Sequence, residues 1–304
     1  MTDAAPRPDT IPASRTPAPI PLGATPRPVD GADLAARIRD ALAAELGGQV
    51  VGLGHARIEA VLDGADVVSA DIDLSGVAVR LDGGSGSPAS GTGPDAGRWQ
   101  PEVVRHEPGT LRRLRVDAHP IVAVDLPVDI TAELEGLRFD WVEGADGRTG
   151  VQPVEPTADT PVSGHARVAV DKAGLVATAR GVLAVVLLQQ GITLTGLDLD
   201  IESQGPRAAT LRADAAIKKG LFLSARVQAT ASASIDENLV LTVRDVQLSS
   251  GNPLVAALLG TVRSQVEAAT SRDIDLAERL PDGVRVADVR LEIGQQLVVS
   301  ARLV

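Results

Sequence analysis

Apolar residues recur at every second position through most of this chain, and that period predicts strands. Val68, Ala70, Ile72 and Leu74 alternate with polar partners. After Ser75-Gly76 the apolar phase slips by one, to Val77, Val79 and Leu81, as a β-bulge beside glycine would produce. Strand-like segments resume at 111–118 and 121–143. There Val128, Ile130, Ala132 and Leu134 alternate, then Leu137, Phe139 and Trp141, with Gly136 at the change of phase. A short strand holds Ala166, Val168 and Val170. Beyond it Ile192 and Leu194 give way at Gly196 to Leu197, Leu199 and Ile201, and Leu211, Ala213, Ala215 and Ile217 alternate. From Leu221 to Ile235 the period of two never breaks, a long run against a typical strand of about 5–6 residues. Leu239, Leu241 and Val243 follow, with Val246 and Leu248 in the other phase. A closing hairpin pairs 284–293 with 297–303 across Gly294-Gln295.

Three segments have a helical period instead. Leu34, Ile38 and Leu42 lie four apart, and Gly47-Gly48 stops that helix, which predicts about Gly31 to Leu46. Lys172 to Gln190 follows Asp171, a candidate N-cap, and is apolar nearly all round, the mark of a buried helix. The third has Asn252 as cap and Pro253 as its first residue. Leu254, Leu258, Val262 and Val266 then mark one stripe to about Thr270, and LPDGV (280–284) makes a turn.

Many alternating strands with repeated phase slips and few helices predict an α+β fold. The expected form is one long, strongly curved antiparallel sheet wrapped around an amphipathic helix as a tube or trough. Residues 1–29 carry Pro6, Pro8, Pro12, Pro17, Pro19, Pro21, Pro26 and Pro28 and read as a disordered tail. The remainder, 30–304, reads as a single domain with mobile loops at 82–110, rich in Gly, Ser and Pro, and at 144–163.

Composition narrows the function. A net charge of −11 argues against nucleic acid, where affinity rests on Lys and Arg neutralising phosphates. With no cysteine, disulfides, thiolate metal sites and thiol nucleophiles are excluded. Trp99, Phe139, Trp141 and Phe222 are the only aromatics, so the core is expected to be aliphatic. No export signal or membrane span is visible, which places the chain in the cytoplasm.

The search for catalysis finds little. There is no G-x-S-x-G elbow. Gly91 to Ala96 matches a dinucleotide fingerprint only in letters, with Pro94 inside it and no strand before it. His55, His106, His119 and His165 lack metal-ligand spacing. Asp71/Asp73, Asp198/Asp200 and Asp273/Asp275 form D-x-D pairs. The first two pairs sit at strand period two, where solvated carboxylates opposite an apolar Ile72 or Leu199 are the ordinary outcome. No metal or cofactor is expected, and no enzyme.

Two places suit a membrane surface. Arg98-Trp99, with Arg105, Arg112, Arg113 and Arg115 downstream, is the densest basic region, and Trp favours lipid–water interfaces. Lys218 and Lys219 sit at an expected hairpin turn beside Phe222, which either shows its ring to solvent or packs on a neighbouring element.

Two stretches carry a family resemblance. One is LVLTVRDVQLSSGNPLVAALLGTVRSQVEAATSRDIDLAERLPDGVRVADVRLEIGQQLVVSARL from Leu239; the other is GHARIEAVLDGADVVSADIDLSGVAV after the opening helix. Together, in element order over roughly 31–304, they resemble the actinobacterial LmeA-like phospholipid-binding proteins. The resemblance implies a tubular, TULIP-like lipid-binding architecture with no catalytic residues. Members carry an export signal or membrane anchor where this chain has its proline-rich tail.

The expected function is non-catalytic binding, or transfer, of a phospholipid or other long apolar ligand. Candidate lining residues are Leu254, Leu258, Val262 and Val266 on the terminal helix, with Val227, Leu241 and Val243 on the sheet. Arg98, Trp99, Lys218, Lys219 and Phe222 are the candidate headgroup or membrane contacts, at the inner face of the membrane. The alternative is an interaction module with a filled core and a partner-recruiting tail.

Overall fold

The computed structural model describes residues 17–46, 50–79, 99–123, 126–157, 159–189, 191–219, 223–252, 255, 274–275 and 285–304. The chain is mostly β. Its elements run β1 (Ile20–Ala24), α1 (Gly31–Leu46), β2 (Val50–Val51), β3 (Arg57–Asp63), β4 (Asp66–Asp73), β5 (Ala78–Val79), β6 (Val103–Ala123) and β7 (Leu126–Gly144). Then come β8 (Arg148–Pro153), β9 (Ser163–Asp171), α2 (Lys172–Gln189), β10 (Thr193–Gly205), β11 (Ala208–Lys219), β12 (Leu223–Ile235) and β13 (Val240–Ser250). Last are β14 (Ile274–Asp275), β15 (Val286–Ile293) and β16 (Gln296–Leu303).

Among the described residues these strands form two sheets, and neither is strongly curled, which corrects the single curved sheet. The larger has eleven strands, with the path β15-β16-β9-β7-β6-β4-β3. Its pairings are antiparallel except where β4 and β5 both run parallel to β6. The smaller follows chain order, β10-β11-β12-β13-β14, and is antiparallel throughout.

The long β6–β7 hairpin organises the larger sheet. The first half of β7 pairs with β9 as far as Glu135, and the second pairs with β8 from Phe139. Gly136 stands between them at φ +78°, a conformation that costs glycine little, and there the strand changes neighbour and the side chains change face. The phase slip in the sequence marks this exchange.

The core lies between this sheet and α1. Leu34 and Ile38 of α1 pack with Leu22, Val67, Ala70, Phe139 and Trp141. Phe139 and Trp141 meet edge to face at 5.3 Å, and the Trp141 indole N–H donates to the Ala65 carbonyl at 2.8 Å. The buried side chains are mostly Leu, Ile, Val and Ala, as composition led one to expect, and three of the four aromatics, Trp99, Phe139 and Trp141, join them. Asp30 caps α1, accepting from the Asp33 amide at 2.8 Å.

Three sequence-based boundaries move. β1 lies inside the stretch read as tail: it pairs with β8, Leu22 and Pro28 are buried, and Arg27 forms an ion pair with Glu107 at 2.9 Å. β6 begins at Val103, inside the expected 82–110 loop, and β8 lies inside the expected 144–163 loop. These strands have weak patterns of their own and are set by long-range pairing. Within β4 a register shift opposite Val61/Leu62 places Val67 in the core where the alternation pointed to Val68.

Among the described residues, hydrogen bonds join the smaller sheet to the larger at two places. Lys172, opening α2, bonds Asp200 of β10 at 2.7 Å through its ammonium and the Gln295 carbonyl at 3.0 Å through its amide. The turn between β10 and β11 meets β15, where Arg207 pairs with Asp288 at 3.0 Å and the Leu291 amide donates to the Pro206 carbonyl at 2.7 Å.

Candidate functional site

The smaller sheet has a two-faced composition set by its register. Residues opposite one another share a face. The apolar face is therefore built of rungs: Leu199–Ala213–Ala229–Leu248, Leu197–Ala215–Val227–Ser250, Ile201–Leu211–Ala231, and Ala209–Ala233–Val243. Alanine occupies most positions on the two central strands, and Leu, Ile and Val stand on β10 and β13. The result is a methyl floor between taller aliphatic walls, set three strand spacings apart, about 14 Å.

Two bulges keep the walls facing the floor. Register shifts after Leu194 in β10, as the slip at Gly196 predicts, and the displaced Thr195 donates its hydroxyl to the Ala216 carbonyl at 3.0 Å. In β13 it shifts between Arg244 and Gln247, where Asp245 adopts φ +55°. This bulge turns Val246 and Leu248 to the same face as Leu241 and Val243 despite the change of phase.

This face is open. Among the described residues of β10 to β14 none is buried, whereas the fully buried aliphatic and aromatic side chains concentrate in the larger sheet and α1. Leu211, near its centre, is 36% exposed. A depression of about 390 Å³ lies on the opposite, polar face of this sheet, where Arg212, Asp214, Gln228, Thr230, Gln247 and Ser249 are among its lining. Another, of about 620 Å³, lies by the β15–β16 turn. Neither is an enclosed apolar cavity; the apolar face is a trough without a roof among the described residues.

The candidate lining residues divide accordingly. Val227, Leu241 and Val243 come together on the apolar face. Leu254, Leu258, Val262 and Val266 lie outside the described residues, as do Arg98 and Phe222. Val255 is helical and buried.

Trp99 is corrected as a membrane contact. Its side chain is 6% exposed, its indole N–H donates to Asp146 at 3.0 Å, and Arg148 lies over its ring at 5.2 Å. Those bonds hold the Asp146 carboxyl below the usual range, the Trp99 bond first and Arg148 second. The basic run downstream is neutralised. Arg112 pairs with Asp63 and Asp66, Arg113 with Glu133, Arg115 with Asp117, and Arg105 lies near Glu107 and Glu143. By contrast Lys218 and Lys219 are exposed at the end of β11, with no ion pair among the described residues.

Helix α2 is the largest departure from the sequence reading. Its Asp171 cap is in place, accepting from the Gly174 amide at 2.7 Å. The expected burial is not: Val182, Val185 and Leu188 are 54, 60 and 66% exposed. The helix packs along β10 and touches β7 and β9 near its start, leaving its other side without a protein layer among the described residues. Its 18 residues are long and apolar enough, by length and composition, to cross a membrane. The neighbouring strand opposes that: Asp198 and Asp200 of β10 would be carried along, at about 2.5–3.5 kcal/mol each.

Ionisable groups gather nowhere as a catalytic or metal centre among the described residues, where no cluster of three or more His, Asp or Glu is placed to hold a metal. The densest group surrounds His119, whose ring lies 3.6 Å from Asp117, 3.7 Å from Asp129 and 3.3 Å from the Thr131 hydroxyl. The nucleophile, base and carboxylate types are present, but the ring is half exposed and its carboxylate contacts are longer than hydrogen bonds. Asp73 takes part in structure, accepting from the Ser75 amide at 2.9 Å, and Asp200 is engaged by Lys172.

No protein-family model, curated protein or solved structure matches this chain.

Proposed function

We propose that this protein binds a long apolar ligand, a two-chain phospholipid in the first instance, on the apolar face of the β10–β13 sheet, without catalysing a reaction. The observation that carries the reading is a continuous, mostly aliphatic face, floored by alanine, on which no described side chain is buried. A continuous apolar face left partly exposed is the kind of surface on which a folded protein takes up an apolar partner. The LmeA-like resemblance points to the same ligand class.

Magnitudes favour two chains over one. Full burial is worth about 0.8 kcal/mol per methylene. An open trough covers about half of a chain's surface, so about sixteen carbons contribute about 6 kcal/mol. Association costs about 4–15 kcal/mol in lost freedom. One chain therefore roughly breaks even, and two side by side, each about one strand spacing wide, bind. A floor of methyl groups leaves them that room.

The test is native mass spectrometry of purified protein with extraction of bound lipid, beside uptake of a fluorescent acyl probe. Ala215→Phe with Ala229→Phe raises the floor at partly exposed positions. The expected result is retained folding by circular dichroism and at least about tenfold weaker uptake, the loss of roughly two methylenes' worth of contact. Absence of copurified lipid together with no uptake by the unaltered protein overturns the reading.

A further inference from the structure

Three cations gather at one end of the smaller sheet. Where α2 runs into β10, Thr193 pairs with Lys218 and Lys219 pairs with Leu223, and Arg226 follows on β12, also exposed. The opposite end mixes signs, with Glu202, Asp236 and Glu237 beside Arg207, Arg212 and Arg244. Two of the chain's three lysines thus sit together, one strand spacing from the C-terminal end of α2. The turn is tight: the Gly191 and Ile192 amides donate to the Leu188 and Leu187 carbonyls at 2.9 and 3.0 Å. Leu188 thus stands at the turn that leads into the cationic strand end, and Val185 lies one helical turn before it, both exposed.

We propose that the C-terminal half of α2 and the Lys218-Lys219 strand end form one docking edge that seats the protein on an anionic lipid bilayer. An apolar helix face flanked by cations is the surface such a bilayer takes up, the side chains entering the acyl boundary and the ammonium groups staying among the headgroups. The net charge of −11 repels the rest of the molecule from that surface. Ligand binding on the trough is a separate property, and docking stands if the trough proves to be empty.

Co-sedimentation with phosphatidylcholine vesicles, with and without phosphatidylglycerol, tests the edge. The protein is expected to sediment with the mixed vesicles. Lys218→Glu with Lys219→Glu is expected to weaken that binding by about 30-fold or more, as two cations lost near a charged surface should. Val185→Asp with Leu188→Asp, at exposed positions and with an unchanged thermal melt, is expected to abolish it while lipid retention in native mass spectrometry persists. Failure of the unaltered protein to sediment with either vesicle overturns the proposal, as does full binding by the Val185→Asp/Leu188→Asp variant. Light scattering that finds a dimer, dissociated by the same pair of changes, assigns the helix face to a second copy and also overturns it.

Discussion

At the residue scale, the two tryptophans show how much position outweighs type. An indole next to arginines suits a headgroup layer, yet Trp99 spends its N–H on Asp146 and its ring on Arg148. Gly150 leaves the room for it, since a Cβ there would press on the Trp99 ring and on the Ile20 carbonyl of β1. Trp99→Ala is therefore expected to destabilise the larger sheet by about 3–5 kcal/mol, measured by urea unfolding, with vesicle binding unchanged in conditions where the protein stays folded. The sequence held no sign of this, because the partner carboxylate lies far along the chain. The lysines differ: a pair at a strand end with no acid directly across from it reads correctly as exposed from local context.

At the element scale, legibility follows the reach of the forces that shape each piece. Helix α1 spans the range its apolar spacing and terminal glycines set out, and α2 begins at its cap, because both depend on nearby residues. The slips at Gly196 and between Val243 and Val246 are bulges in the structure for the same reason. What was illegible depends on distant partners: β1, β8, the first turns of β6, and the division into two sheets. Val103 to Thr110 contains Pro108, Gly109 and several charges, and pairs as a strand because β7 lies beside it. Burial separates the two sheets in stability. The amides of β10 to β13 are expected to exchange with solvent well before those of β4, β6 and β7 in hydrogen-exchange mass spectrometry. Bound lipid should slow the first group selectively.

At the scale of the whole molecule, carboxylates tied to cations set the response to acid. Hydrogen bonds from Arg37, Arg112, Arg27, Lys172 and Arg207 hold Asp33, Asp66, Glu107, Asp200 and Asp288 below the ordinary carboxylate range. A carboxyl whose folded pKa is depressed binds fewer protons than in the unfolded chain, so its contribution is complete above the unfolded value and is lost as pH falls through the folded one. Thermal stability is expected to hold above about pH 5 and to decline below about pH 4. Because these pairs are largely surface-exposed, added salt should lower the acid-sensitive part. Asp200 and Asp288 lie at the two junctions between the sheets, so the smaller sheet should loosen from the larger before either melts.

Strand β12 repeats alanine and polar residues so evenly that sliding it by two positions would return every methyl group to the same side. Such a ribbon carries no internal ruler. The kink at Asp245 supplies one, since it fits only one place along the neighbouring backbone. Straightening it, as Asp245 deletion would, should leave a sheet of unchanged composition that settles into several alignments at once, visible as multiple amide signals for each residue of β12.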